Sequence, residues 1–114
     1  MNVSIVIPTY NRKPILEKCL KALEKQKLNK NVGNYEIIVV DDGSTDGTSF
    51  CIKNDSAILP HVVLYEQEHG GAALGRNLGV IKSKYEIIIF IDKFSCSFNS
   101  NTRYAWYICL LYTS

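Results

Sequence analysis

Three places in the chain concentrate residues able to do chemistry. Asp41 and Asp42 stand side by side in "EIIVVDDGSTDGTS", directly after an apolar run. Asp92 closes a second apolar run, "YEIIIFID", and Tyr10 follows a third in "VSIVIPTYNR". Adjacent carboxylates at a buried strand end are costly, because like charges repel and burial penalises each ionised form. A hydrogen-bond donor, a cation or a ligand has to compensate. A carboxylate in such a place can accept an N–H from a ligand or hold a hard divalent cation. An aromatic ring such as Tyr10 can stack on a flat heterocycle. Arg76, in "GGAALGRNLGV", can pair with a carboxylate or a phosphate. Each has a plainer alternative. Tyr10 can be a packing ring, and Asp42 and Asp92 can be turn residues bonding their own backbone. The turn reading explains one aspartate well and two poorly. His61 and His69 read as loop residues rather than ligands.

The elements that must position these residues follow from hydrophobic periodicity. "VSIVI" (Val3 to Ile7), "EIIVV" (Glu36 to Val40), "VVLYE" (Val62 to Glu66) and "YEIIIFID" (Tyr85 to Asp92) read as strands. The first, second and fourth are apolar on both faces. "RKPILEKCLKALEKQK" places Ile15, Leu16, Cys19, Leu20 and Leu23 on one helical stripe, with Lys and Glu opposite. Asn11 is the expected N-cap of that helix. Ser44 is the expected cap of a short second helix, with Asp46 in its first turn and Phe50, Cys51 and Ile52 along it. A third helix is expected over Ala72 to Lys82. Gly71, Gly75 and Gly79 then share one of its faces, which points to close backbone approach, by the sheet in preference to a ligand. The order β-α-β-α-β-α-β predicts an α/β fold, a mostly parallel central sheet with helices on both faces. Crossovers should be right-handed, and ligands should sit outside the carboxyl ends of the strands. The "PTYN" turn, the Asp41–Asp42 pair and Asp92 all collect at that edge.

Composition narrows the class. The chain has 114 residues, 46% hydrophobic, which fits one small domain with a packed core. A net charge of +2 without a Lys/Arg cluster argues against a nucleic-acid partner. The four cysteines form no C-x-x-C pair and no zinc spacing, so reduced thiols are expected. No signal peptide or spanning helix is expected, since no apolar run approaches about 18 residues. The G-x-G-x-x-G fingerprint of dinucleotide binding is absent from "HGGAALG".

Taken together and in order, "VSIVIPTYNR", "YEIIVVDDGSTDGT", "GGAALGRNLGV" and "YEIIIFID" resemble the N-terminal half of a family-2 glycosyltransferase, from Asn2 to Asp92. The resemblance implies a nucleotide-diphospho-sugar transferase fold of the GT-A type, incomplete here. It also implies transfer of a sugar from a nucleotide-sugar donor, with inversion, to an acceptor hydroxyl on a glycan, lipid or protein. By the same resemblance, Pro8, Thr9 and Tyr10 line a nucleobase pocket. Asp42 accepts the base N–H, typically of uracil, and Asp41 shapes the pocket. Arg76 matches the arginine of an "A-R-N" block near the diphosphate, with Gly75 in place of the alanine. Asp92 matches the first acid of a D-x-D element that holds Mg²⁺ or Mn²⁺, a Lewis acid for the leaving diphosphate. The catalytic base is expected downstream of that element. A cytoplasmic location, in solution or at the inner face of the membrane, goes with the resemblance.

The pattern breaks after Asp92. "DKF" (Asp92-Lys93-Phe94) lacks the second acid, and Lys93 would repel a cation. Residues 93–108 read as divergent or out of frame. The closing "CLLYTS" is what TGT CTC TTA TAC ACA TCT encodes, a transposon end used in library preparation. Residues 109–114 are therefore expected to be an adapter scar, and the chain a fragment inactive in transfer by itself. Two other readings stay open: a non-catalytic nucleotide-binding fragment of the same fold, and a phosphoacceptor receiver domain. For a receiver, Lys93 stands in the wrong place.

Overall fold

The computed structural model describes residues 2–25 and 33–91. Asp92, the 93–108 segment and the 109–114 tail lie outside the described residues. Seven elements follow one another: β1 (Val3–Thr9), α1 (Lys13–Lys25), β2 (Tyr35–Asp41), α2 (Thr48–Asn54), β3 (Val62–Glu66), α3 (Ala72–Lys82) and β4 (Ile87–Phe90). The strands form one sheet in the order β3-β2-β1-β4, with every neighbouring pair parallel.

That order explains where the helices lie. The sheet grows from β1 outward to β3, then returns to place β4 on the far side of β1. With right-handed crossovers, such a reversal moves the connecting helix to the other face. The cores record the move. Leu16, Cys19, Leu20 and Leu23 of α1 and Ile52 of α2 pack with Val3, Ile5, Ile7, Ile37, Val39 and Ile89. Leu78 of α3 packs on the opposite face, against Val6, Ile38, Val40 and Ile88. Successive strand residues thus feed two cores in alternation. The expected fold is the one observed.

Two local expectations need correcting. Ile15 belongs to the exposed surface, and the buried stripe of α1 begins at Leu16. α2 carries Phe50, Cys51 and Ile52 as expected, with Phe50 exposed and Ile52 buried. Neither expected cap residue serves its own helix. Asn11 adopts a left-handed φ of 50°, and the Arg12 carbonyl accepts the first helical N–H of α1, from Leu16 at 2.9 Å. The Lys13 N–H is satisfied from across the site by Asp46 Oδ2, at 3.1 Å. The N-cap of α2 is Gly47, with φ 83°, while Asp46 Oδ1 accepts from the Thr48 N–H at 3.2 Å. Asp46 thus serves both helices, α2 from two residues away and α1 from a loop that the sheet brings across the site.

The glycine face of α3 is a packing device. A Cβ on Gly75 would sit 3.0 Å from Pro8 Cβ, and one on Gly79 would overlap the Val6 side chain. Val6 lies on a central strand and is stiff at χ1, so it cannot yield. Gly79→Ala should gain about 1 kcal/mol of helix propensity and lose about 1–3 kcal/mol to overpacking. The expected result is net destabilisation in urea unfolding. A more stable variant would mean that α3 can lift from the sheet at little cost.

Candidate functional site

The carboxyl ends of β1 and β2 carry the residues singled out above. Asp41 and Asp42 are both buried, at 3% and 4% exposure. They do not face each other. Alternation along β2 sends Asp41 to the α1–α2 side and Asp42 to the α3 side. Asp41 Oδ1 accepts the Ser44 N–H at 3.0 Å, and its Oδ2 accepts the Ser49 hydroxyl of α2. Asp42 is satisfied wholly by the segment between β3 and α3. Its Oδ1 accepts Gln67 Nε2 at 2.7 Å and the Gly70 N–H at 2.8 Å. Its Oδ2 accepts the Gly71 N–H at 3.0 Å and lies 2.9 Å from His69 Nδ1. Among the described residues, the cost of adjacent buried carboxylates is met by the chain's own donors.

Burial alone would push the Asp42 carboxyl up. The donors from Gln67, Gly70 and Gly71, with His69 beside them, outweigh it and hold the group below the ordinary carboxylate range. Asp46 behaves alike. Burial raises it, and the Thr48 hydroxyl with the N–H groups of Lys13 and Thr48 bring it below its ordinary value.

Tyr10 stands just past β1, 42% exposed, with its ring stacked on His69 at a centroid distance of 4.2 Å. Its loop is laced to the next one. The Asn11 N–H donates to Ser44 Oγ at 2.9 Å, and Asn11 Oδ1 accepts the Thr45 N–H at 2.8 Å. Pro8 faces α3 and packs beneath Gly75. Thr9 is buried, and its Oγ1 has no partner among the described residues. Arg76 is half-buried in the second turn of α3, the helix that opens directly after Gly70 and Gly71. Pro8, Thr9, Tyr10, Asp41 and Asp42 thus meet at one sheet edge. Arg76 lies on the helix that starts there.

His69 and Gln67 join the site without having been expected there, and Asn11 enters it as part of the PTYN turn. For His69 a signal existed: it immediately precedes the Gly70–Gly71 pair that opens α3 at this edge. Among the described residues no group of three or more His, Cys, Asp or Glu side chains could hold a metal. The Asp41 and Asp42 oxygens are already committed. No helix among the described residues is long and apolar enough to cross a membrane, and Cys19 and Cys51 are reduced thiols.

Because Asp42 and Asp46 are depressed in the folded chain, the unfolded chain takes up their protons at higher pH. Their contribution is whole above the ordinary carboxylate pKa and is lost as pH falls through the lower folded values. Stability to urea should therefore drop between about pH 5 and about pH 2. Asp42→Asn and Asp46→Asn should each lower stability at neutral pH and make that drop shallower. An unchanged acid slope in both variants would contradict the assignment.

The glycosyl transferase family 2 model matches residues 4–93. The glycosyltransferase AglE of Haloferax volcanii is 37% identical over 91 residues, covering 79% of this chain and 29% of that protein. The poly(ribitol-phosphate) beta-glucosyltransferase of Bacillus spizizenii is 37% identical over 94 residues, covering 81% of this chain and 14% of that protein. Among solved structures, S. aureus TarS 1–349 in complex with UDP-GlcNAc superposes with a TM-score of 0.69 at 31% identity, over 81% of this chain and 26% of that one. The mannosyltransferase PcManGT from Pyrobaculum calidifontis, in complex with GDP-Man and Mn²⁺, gives 0.64 at 30% identity, over 79% of this chain and 26% of that one. The chain spans less than a third of the length of each of these relatives. The match over residues 4–93, with the parallel sheet and the acidic pair at its carboxyl edge, establishes that the chain belongs to glycosyl transferase family 2.

Proposed function

We propose that this chain supplies the donor-binding half of an inverting glycosyltransferase that uses a UDP-sugar. The observation that carries the reading is the pairing of an exposed aromatic face, Tyr10, with a buried, ionised acceptor, Asp42, at one strand edge. A uracil ring stacks on the first and donates its N–H to the second. Pro8 borders this edge on the α3 side, Thr9, whose hydroxyl has no partner among the described residues, borders it on the α1–α2 side, and there Asp41 holds the 44–49 segment. Arg76 then faces the diphosphate. TarS in complex with UDP-GlcNAc supports a uridine nucleotide, through a chain of the same family and similar fold.

In the transfer, an acceptor hydroxyl loses its proton to a base and its oxygen attacks the anomeric carbon. The bond from that carbon to the diphosphate breaks, and the electron pair leaves with UDP. The acceptor is a glycan, lipid or protein hydroxyl, in the cytoplasm or at the inner face of the membrane. The described residues supply recognition of the donor. A Mg²⁺ or Mn²⁺ ion would compensate the diphosphate charge, and Asp92 is the carboxylate assigned to it. Among the described residues no group of three or more His, Cys, Asp or Glu could hold a metal, and Asp41 and Asp42 already accept donors from their own loops.

Calorimetric titration with UDP tests the base subsite. Tyr10→Ala should weaken binding by the worth of one stack, about 0.5–1.5 kcal/mol. Asp42→Asn should cost about 1.5–3 kcal/mol, the range for a hydrogen bond to a charged group. Wild-type affinity in both variants would sink the reading. For the metal, Mn²⁺ titrated by electron paramagnetic resonance should bind weakly without UDP, because only one acid of the D-x-D pair is present. Tight binding without nucleotide would show that another ligand replaces the missing acid.

A further inference from the structure

The groups assigned to the nucleobase are already engaged by one side chain, and that side chain has the chemistry of a base. His69 is a flat heterocycle with an N–H. Its ring stacks on Tyr10 at 4.2 Å with planes 27° apart. Its Nδ1 lies 2.9 Å from Asp42 Oδ2 and 3.2 Å from the Asp42 carbonyl oxygen. These are the contacts a uracil would make with the same two residues. We propose that His69 occupies the nucleobase subsite as an internal stand-in, and that a nucleotide binds by displacing it.

Three observations carry the proposal, which rests on the base-subsite reading above. First, the stack leaves no gap. A base between Tyr10 and His69 would need about twice the ~3.5 Å contact spacing of stacked atoms, and the centroids are 4.2 Å apart. Second, Asp42 is crowded. Its carboxylate accepts Gln67, Gly70 and Gly71, and His69 Nδ1, hydrogen-bonded to the Asp42 carbonyl oxygen at 3.2 Å, stands 2.9 Å from Oδ2 and covers the acceptor position left there. Two of those donors are backbone groups that hold the start of α3. His69 is the most exposed of the side-chain donors, at 59%. Its departure frees the Oδ2 position beside Tyr10 and breaks no core packing. Third, the backbone of His69 is held while its ring is not. Gly43, with φ 80°, lets the His69 backbone approach so closely that a Cβ there would sit 3.1 Å from its nitrogen. The ring can therefore turn outward about its own side-chain bonds and leave the loop in place.

Titrating the full chain with uridine and with UDP separates this from other roles. His69→Ala should bind both about two- to tenfold more tightly than wild type, since the ligand no longer competes with one aromatic stack. A side chain that merely shaped the pocket, or that contacted the ligand directly, would not give tighter binding on removal. Equal or weaker binding by His69→Ala, with Tyr10→Ala still weakening it, would overturn the stand-in and leave the base subsite intact. No effect of Tyr10→Ala would overturn the base subsite and the stand-in with it. Proton resonances of the His69 ring provide a second measure. They should be shifted by the Tyr10 ring current without ligand and move toward exposed-histidine positions on saturation with UDP. Signals that stay fixed at saturation would also overturn the proposal.

Discussion

The structure depends on the placement of two neighbouring carboxylates at the end of one buried strand. A pleated strand turns successive side chains to opposite faces, so Asp41 and Asp42 can be adjacent in sequence without sharing an environment. Each then recruits a different loop. Asp41 gathers Ser44 and Ser49 and so shapes the entry to α2. Asp42 gathers Gln67, Gly70 and Gly71 and so fixes the entry to α3. Burying a carboxylate without such donors would be prohibitive. The donors are bound to their loops, so satisfying the charges also organises the sheet edge.

The rest of the edge follows from that arrangement. Once the 44–49 segment is held, it is close enough to lace with Asn11 and to supply Asp46 to the start of α1. Once the 67–71 segment is held, α3 begins over the sheet, and its glycine face settles on Pro8 and Val6. One constraint thereby reaches three helices. It also brings an aromatic ring and an ionised acceptor together at the surface, which is the chemistry a flat, N–H-bearing ligand needs.

On the proposed function, donor recognition and stability draw on the same atoms. Asp42 is the acceptor assigned to the ligand and also the anchor of the 67–71 segment. A ligand that took its oxygens from the backbone donors would loosen α3. A ligand that took only the position held by an exposed side chain would not. This division gives His69 a place in the site that its exposure alone would not suggest.

Sequence by itself determined the class of fold and the edge where the site lies. Strand runs apolar on both faces, alternating with helices, leave few arrangements other than a covered parallel sheet, and α3 falls over the residues its periodicity predicts. The motif blocks, in order, sufficed to indicate the family. The donor contact at the start of α1, the partners of Asp42 and the contacts of His69 were decided only by tertiary structure. Ser44 and Asn11 look like caps of the helices that follow them, because local sequence offers no better partner. The folded sheet brings their loops together, and each bonds the other's segment across more than thirty residues. A lone histidine carries no local signal of what it will stack on. Its neighbours, Tyr10 and Asp42, come from two other loops, and only the parallel register of β1 and β2 sets them side by side.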